Sequence, residues 1–290
     1  MTIKKLHNLG LGGLALGALG LLAGCNALAP AGQGMMPGIA GRGARGSAWM
    51  DPQAKRGDLL YISDTETSDV YVFSYPKGTL KGTLTGFSDP AGECVDKHGD
   101  VFITNTGQSN ILEYAHGGTS PMATLSDSGY FPTGCSVDPT TGNLAVTNFT
   151  TTGSGQGDIA IYVHAKGSPK GNYTDPDIFE MFLCGYDASG NLFVDGLSQG
   201  SAFHFAELRK GGTALTNVRL NQSIAMPGGV QWDGTYVAVG DQSTNTIYQF
   251  SISGKNGRKT GSTSLGGAGE VFQFWIAGSK VVGPDSSDAN

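Results

Sequence analysis

The sequence predicts an all-β chain of the β-propeller class, with about six blades of which the first and the last are incomplete. One motif carries most of this prediction: an aspartate recurs at Asp96, Asp138, Asp187 and Asp233, at intervals of 42, 49 and 46 residues. Short runs of β-branched and aromatic residues, bounded by glycine-rich turns, fill each interval. No segment has the periodicity of an amphipathic helix.

Each interval contains the same four segments. A first strand ends near the aspartate, a turn with glycine follows, and a second strand such as VFIT (residues 101–104) comes next. A third strand rich in Ile, Phe and Tyr, such as ILEYA (residues 111–115), precedes a Gly-rich turn and a weaker fourth strand. Four antiparallel strands in roughly 40–50 residues are the signature of one propeller blade.

The two ends of the repeat region predict incomplete blades. LLYISD (residues 59–64) matches a second strand without a first one, and a fifth copy of the motif has Ala277 in place of the aspartate. Two alternatives remain open: the ends share one blade and close the ring, or the chain is a copy truncated at its C-terminus. Truncation is favoured, because both end segments offer a second strand and do not complement each other.

The composition agrees with a turn-rich β protein and argues against one class of partner. Of the 290 residues 47 are glycine, and 14% are charged against roughly 25% in an average protein. The formal net charge is −6, and no block of Lys or Arg follows the N-terminus. Because nothing here would neutralise a row of phosphates, we expect no nucleic-acid partner.

The N-terminus predicts an address in the bacterial cell envelope. Lys4 and Lys5 precede an apolar run at residues 9–22, which is short for a membrane span, and then LAGC ends at Cys25. This pattern resembles the lipobox of bacterial lipoproteins, which implies a signal peptide at residues 1–24 and lipid anchoring through Cys25. Asn26 after the cysteine favours the outer membrane, facing the periplasm or the surface. The alternative is an ordinary secretory signal with Cys25 incidental.

The next segment, residues 25–57, has no strand or helix period. Gly, Ala and Pro dominate it, so we interpret it as the lipidated cysteine followed by a flexible linker. A binding segment using Met35, Met36 and Trp49 is the alternative. The propeller is predicted over residues 58–290.

One blade carries a family resemblance. PAGECVDKHGDVFITNTGQSNILEY (residues 90–114) resembles the NHL/YVTN-type extracytoplasmic propellers, and the resemblance covers roughly residues 58–285. It implies the fold well and the function poorly, because propellers serve as binding proteins, lyases and lactonases alike.

The predicted channel face holds a set of oxygen ligands. In a propeller, first-strand starts and second-strand ends lie on one face around a central channel. The second strands end at Asp64, Asn105, Asn148, Gly196, Asp241 and Asp285, and the first strands carry Glu93, Glu180 and Glu270. Carboxylate and amide oxygens suit Ca²⁺. The alternative, which we favour, is that these Asn and Asp residues only start turns by bonding their own backbone.

A second resemblance bears on this set. The gluconolactonase-like propellers use a Glu/Asn/Asp set for a catalytic divalent metal, which implies Glu93, Asn105, Asn148 and Asp241 as metal ligands here. Asp64, Glu180, Glu270 and Asp285 are further channel-face candidates.

The repeated aspartates and the remaining cysteines favour structural roles. Asp96 and its three counterparts precede tight hairpins on the opposite face, so we expect them to hold turns. Cys94, Cys135 and Cys184 fall on the first strands of adjacent blades. We expect buried thiols that pack as small apolar groups, with a disulfide as the alternative.

The function predicted from these features is that of a membrane-anchored extracytoplasmic binding module for a protein, a glycan or a small molecule. It requires no cofactor, and Ca²⁺ is the ion to test. The alternative is a divalent-metal hydrolase or lactonase of the gluconolactonase-like type.

Overall fold

The computed structural model describes residues 2–5 and 46–285, and this part of the chain is built almost entirely of β-strands. The strands, in chain order, are β1 (Thr2–Lys5), β2 (Trp49–Met50), β3 (Leu59–Asp64), β4 (Asp69–Ser74), β5 (Leu80–Leu84), β6 (Pro90–Val95), β7 (Val101–Asn105), β8 (Asn110–Tyr114), β9 (Pro121–Ser126), β10 (Tyr130–Val137), β11 (Leu144–Thr151), β12 (Gln156–Tyr162), β13 (Gly171–Tyr173), β14 (Glu180–Tyr186), β15 (Leu192–Leu197), β16 (Phe203–Leu208), β17 (Thr216–Asn217), β18 (Arg219–Leu220), β19 (Pro227–Trp232), β20 (Val237–Asp241), β21 (Thr246–Ser253), β22 (Asn256–Ser264), β23 (Trp275–Ala277) and β24 (Lys280–Gly283).

Helical structure in the described residues is confined to three short 3₁₀ turns. They are η1 (Ala54–Arg56), η2 (Thr106–Gln108) and η3 (Val163–Ala165). Within residues 2–5 and 46–285, no helix has the length and apolar character that crossing a membrane requires.

The strands form six sheets, which we number as blades one to six along the chain. Blades two, three and four each have four strands in sequence order, β6 to β9, β10 to β13 and β14 to β17. Blade five has the order β19-β20-β21-β22, with β18 added in parallel at its outer edge. All neighbouring strands within blades two to four are antiparallel, as the prediction of hairpin-linked units requires.

Blade one lacks a first strand, as predicted, but Trp49–Met50 from the predicted linker pairs with β5 and brings it to four strands, whereas the last blade has three. Blade one has the order β3-β4-β5-β2, so it begins with the strand that matches a second strand. Blade six has the order β23-β24-β1, and its third strand comes from Thr2–Lys5, which pairs with Lys280–Gly283. The predicted signal peptide therefore contributes one described strand, and its remaining residues, the linker up to residue 45 and Cys25 lie outside the described residues.

The blades pack face to face through buried apolar side chains. Between blades two and three, Phe102 and Ile111 meet Leu144 and Tyr162, and each of the four is at most 1% exposed. Burying one such side chain contributes about 1.5–3 kcal/mol, so a blade depends on its neighbours on both sides.

Two residues of the motif bring the first strands of neighbouring blades together. A Cβ on Gly92 would lie 2.5 Å from the carbonyl oxygen of Thr133 on the next first strand, so only glycine fits this approach. The Thr104 hydroxyl accepts a hydrogen bond from the Gly92 N–H at 2.8 Å, inside a register shift between β6 and β7. In the next blade the Thr147 hydroxyl donates to the carbonyl of Phe182 at 2.7 Å.

The repeated aspartates hold tight hairpins, and this prediction is confirmed. The Asp96 carboxylate accepts the N–H groups of His98 and Asp100 at 2.8 and 2.9 Å. Asp187 accepts those of Ser189 and Asn191 at 2.9 and 2.8 Å. Asp138 and Asp233 bond their own turns in the same way.

The cysteine prediction is wrong for two of the three residues. Cys94 and Cys135 form a disulfide, and Cys184 is a buried free thiol as expected. Facing blades present opposite sheet faces to each other, and successive side chains on a strand alternate in direction. Cys94 lies two residues before its aspartate and Cys135 three residues before its own, so their side chains meet between blades two and three. Cys184 shares the parity of Cys135, so it faces blade three and packs with Ala145 and Ile159 there, whereas Cys135 faces blade two.

Candidate functional site

A cavity of about 280 Å³ occupies the centre of the ring. Five segments line it, namely β6, β10, β14, β19 and the chain at residues 273–275 that enters β23. We call it the channel cavity. Its walls combine apolar and amide groups, a mixture typical of small-molecule sites. Its principal lining residues are Glu93, Val95, Val137, Leu183, Cys184, Tyr186, Val230, Gln231, Trp232, Gln273 and Trp275.

The mouth of the channel cavity is apolar and aromatic. Val95 and Trp275 are each 39% exposed there, and both are large apolar side chains open to solvent. Tyr186 and Trp232, both partly exposed, complete the rim. Aromatic rings in such positions offer a large apolar surface with a polar edge, which suits ligand contact.

The mouth lies where the first strands end. Val95, Val137, Tyr186 and Trp232 each come directly before a repeated aspartate or its hairpin. This is the opposite face from the one that the sequence indicated, where the second strands end. The sequence does contain a signal for this face, because the residue before each repeated aspartate is apolar or aromatic.

Glu93 is the one acidic side chain that reaches the channel cavity from the predicted set. Its carboxylate accepts a hydrogen bond of 2.5 Å from the Ser63 hydroxyl of blade one. Its backbone carbonyl accepts one of 3.2 Å from the Gln273 side chain of blade six. Burial raises the pKa of Glu93 to about 8, and the bonds to Ser63 only partly oppose this shift.

The side-chain amide of Gln231 on β19 joins blade five to blade six. The Gln231 side chain accepts the N–H of Ile276 at 2.6 Å and donates to the carbonyl of the same residue at 3.4 Å. Together with the contact between Gln273 and Glu93, these bonds connect the first strand of blade six to blades five and two. The wall of the channel cavity is therefore continuous from β6 round to blade six.

The second-strand ends use their oxygens to hold nearby loops. Asn105 accepts the N–H of Ser88 at 2.7 Å, and Asp285 accepts that of Gly269 at 3.1 Å. Asp241 accepts the N–H groups of Ala225 and Met226, both at 3.3 Å. In all three cases the bonded loop leads into the first strand of the same blade.

Asp64 and Gly196 are the two remaining residues at the predicted second-strand ends. Asp64 accepts the N–H groups of Glu66 and Thr67 in its own turn at 2.9 and 3.1 Å. Gly196, the predicted end of the second strand of blade four, has no side chain, and a Cβ there would lie 2.2 Å from the Glu180 carbonyl oxygen.

The remaining acidic candidates lie apart from the channel cavity. Glu180 starts β14, and burial raises the pKa of its carboxyl. The N–H of Glu270 donates to Asp285 at 3.2 Å. Within residues 46–285, no three His, Cys, Asp or Glu side chains are placed to hold a metal ion. The predicted metal roles of Glu93, Asn105, Asn148 and Asp241 stay predictions, and their hydrogen-bond partners are all different.

Asn148, which was predicted to end a second strand but lies inside β11, differs from these residues. Its Nδ2 donates to Asp158 at 2.8 Å, and its Oδ1 is buried without a donor in the described part of the chain. The neighbouring Asp127 is also buried, at 3% exposure. This cluster lies between blades two and three, away from the channel cavity.

A buried acid also lies behind the channel wall. Asp195 is fully buried and accepts the Leu183 N–H at 2.9 Å, while its Oδ2 has no donor among the described residues. Burial raises its pKa well above the usual range, and the hydrogen bond from the Leu183 N–H opposes this shift. Burial and the Asp195 charge both raise the pKa of the Cys184 thiol, so this thiol is protonated at neutral pH.

Comparison with solved structures decides the fold. A chain of a nidogen/laminin complex matches with a TM-score of 0.59 and 18% identity over 75% of this chain and 79% of that one. A chain of hydrazine synthase from Kuenenia stuttgartiensis matches with a TM-score of 0.63 and 14% identity, over 83% of both chains. Virginiamycin B lyase from Staphylococcus aureus matches with a TM-score of 0.59 and 12% identity, over 83% of this chain and 77% of that one.

The chain is a β-propeller. The predicted fold class is thereby confirmed, and identities this low carry the fold alone. No protein-family profile and no curated protein sequence matches the chain. The propeller fold is compatible with binding and with catalysis, so the function has to be argued from the site.

Proposed function

We propose that this propeller is a binding module whose ligand docks at the mouth of the channel cavity. The observation that carries the proposal is the rim of Tyr186, Trp232 and Trp275 around an opening with apolar walls. A ligand with a flat apolar face, such as a sugar ring or an aromatic group, would stack on these rings while Gln231 and Gln273 supply polar contacts.

The predicted oxygen ligands also favour binding over metal-dependent catalysis. Asn105, Asp241 and Asp285 already hold backbone N–H groups of nearby loops. Using them as metal ligands would break bonds that shape the entry to the first strands. Among the matched structures, one is named as part of a complex and another as a lyase, so both kinds of function occur on this fold.

Tryptophan fluorescence tests the proposal on the purified full chain. Of the three tryptophans, Trp232 and Trp275 line the channel cavity, and Trp49 lies on an outer strand, 46% exposed. Titration with a panel of soluble oligosaccharides should identify a ligand that changes the emission. Trp232→Ala and Trp275→Ala should each weaken its binding at least about tenfold, which is about 1.4 kcal/mol.

Trp49→Ala is the matched control and should leave the affinity unchanged. A ligand whose affinity is unaffected by both cavity substitutions, or lost in Trp49→Ala, would place the binding site elsewhere and contradict the proposal.

A divalent-metal hydrolase or lactonase is the second candidate, and Glu93 is the observation that favours it. A carboxyl with a pKa of about 8 in a central cavity has the protonation behaviour of a general acid. Lactone hydrolysis by the full chain with Ca²⁺, Mg²⁺ or Mn²⁺ added, lost in Glu93→Gln, would support this candidate. Absence of turnover with each of the three metals would remove it.

We also propose that the protein is lipidated at Cys25 and held at the outer membrane of a bacterial envelope. The lipobox supports the anchor, and the Cys94–Cys135 disulfide supports an oxidising compartment. Cleavage before Cys25 would remove Thr2–Lys5 from blade six and expose the edge of β24. Labelling with radioactive palmitate should mark the wild-type chain and not Cys25→Ser; label in both, or in neither, would contradict lipidation at this residue.

A further inference from the structure

We propose that Asp127, Asn148 and Asp158 form a binding site for one Ca²⁺-like divalent cation between blades two and three. The site is separate from the channel cavity and independent of the ligand proposed there.

The three side chains meet in a buried cluster. Asp127 follows β9, Asn148 lies near the middle of β11, and Asp158 lies on β12 directly opposite Asn148. Their exposures are 3%, 0% and 2%. Asn148 Nδ2 donates to Asp158 Oδ1 at 2.8 Å, and Asn172 Nδ2 donates to Asp158 Oδ2 at 2.7 Å.

The cluster holds two carboxyl groups, and neither forms an ion pair with a basic side chain of the described residues. The described ion pairs, Lys81–Asp51 and Arg209–Glu207, do not involve either aspartate. Asp127 also contacts Asn148 and Tyr162. Tyr130 also interacts with Asp158. Buried carboxylates in proteins are ordinarily paired with a positive charge or coordinate a metal ion.

Two buried oxygens of the cluster have no hydrogen-bond donor in the described part of the chain. They are Asp127 Oδ2 and Asn148 Oδ1. At the second-strand ends of other blades, Asn105 Oδ1 and the Asp241 carboxylate accept backbone N–H groups from the loop before the first strand. In this blade that loop supplies Asp127, a second acceptor, where the others supply donors. A cation is what an excess of acceptors can bind.

Oxygen-only ligands indicate the class of ion. Ca²⁺ takes six to eight oxygens from carboxylates, amides, carbonyls and water, in flexible geometry. Carboxylate and amide oxygens of the cluster are of this kind, and no thiol or imidazole is part of it. Two carboxylates and one amide supply only part of such a shell, so water and main-chain carbonyls would complete it.

Isothermal titration of the full chain with Ca²⁺, after dialysis against EDTA, tests the site. We expect one Ca²⁺ to bind and to raise the unfolding midpoint by mass action. Asp127→Asn keeps the shape and removes one charge, and should weaken Ca²⁺ binding at least about 100-fold while abolishing the shift in midpoint. Asp175→Asn is the matched control, because Asp175 is 2% exposed in the corresponding loop of the next blade and bonds the Asp177 N–H at 2.9 Å. It should keep the Ca²⁺ response.

Two results would overturn the proposal. One is a wild-type chain that shows neither heat nor a change in midpoint at roughly 5 mM Ca²⁺, above the dissociation constants usual for extracellular modules. The other is Asp127→Asn with unchanged affinity. If Asp127→Asn does not fold, Tb³⁺ added to the wild-type chain replaces it as probe: we expect Tb³⁺ luminescence sensitised by the nearby Tyr130 and Tyr162 and displaced by Ca²⁺, and its absence contradicts the site.

Discussion

The disulfide between Cys94 and Cys135 joins the first strands of blades two and three, with a Cα–Cα distance of 5.6 Å and a sequence separation of 41 residues. It links two sheets that also pack against each other through buried apolar side chains. Both sulfurs also belong to residues that line the channel cavity. The bond therefore fixes the part of the ring on which the proposed binding site is built.

Removing this bond should lower the free energy of unfolding. Closing a loop of this length restricts the unfolded chain by about 3–4 kcal/mol, so the double variant Cys94→Ala, Cys135→Ala should lose about 2–4 kcal/mol in urea unfolding. Cys184→Ala is the control, because it removes a buried thiol that forms no bridge. A double variant as stable as Cys184→Ala would contradict a structural disulfide.

Asp195→Asn should stabilise the protein at neutral and basic pH. The pKa of Asp195 is raised in the folded state, so folding favours its protonated form. Stability is then lost as pH rises above the unfolded pKa of about 4. The neutral amide keeps the bond to the Leu183 N–H and should gain about 1–3 kcal/mol at pH 8, with little change at pH 4. Equal pH dependence in both proteins would show that Asp195 is ionised in the fold.

Glu93→Gln should also make the free energy of unfolding less dependent on pH, but over a narrower pH range than Asp195→Asn does. Because the pKa of Glu93 is about 8 when folded and 4.5 in its usual environment, the wild type should lose stability between pH 5 and pH 8. Glu93 keeps part of its surface open to the cavity. We therefore expect the free energy of unfolding to fall by about 1–3 kcal/mol, which is less than the full pKa shift would give. Thermal unfolding of both proteins across this range measures the difference, and parallel curves would contradict the raised pKa.

Asp187→Ala should destabilise its hairpin. The Asp187 carboxylate accepts the N–H groups of Ser189 and Asn191 and the side-chain amide of Asn191. Loss of these bonds should cost about 1–2 kcal/mol in urea unfolding. Asp187→Asn retains an acceptor oxygen and should cost less than half as much. Equal costs for the two variants would mean that charge, and not turn bonding, is what this position supplies.

Much of the fold could be predicted because the same motif occurs in several blades, so each copy supports the same strand assignment. Gly92, Thr104 and Asp96 have counterparts in other blades. The glycine allows two first strands to approach closely, the threonine bonds to the neighbouring first strand, and the aspartate holds a hairpin. The missing first strand of blade one and the short last blade followed from counting strands, whereas the extra edge strand Trp49–Met50 did not. A single sequence could not show that Thr2–Lys5 pairs with β24, since that contact spans the whole chain.

The site was harder to predict, for physical reasons. The Asn and Asp residues at the second-strand ends look like metal ligands in sequence, and whether their oxygens are free depends on loops 15 to 17 residues away, as with Ser88 and Asn105. The Cys94–Cys135 bond depends on which sheet faces meet. Asp127 carries no motif, and its meeting with Asp158 arises only from the packing of blade two against blade three.

Hydrogen–deuterium exchange of the full chain, with and without the ligand found by fluorescence, tests the central claim that the ligand binds where the first strands end. The account predicts that protection is confined to the ends of β6, β10, β14 and β19, around Val95, Val137, Tyr186 and Trp232. Protection confined to the opposite face, around Asn105, Asn148 and Asp241, would contradict it.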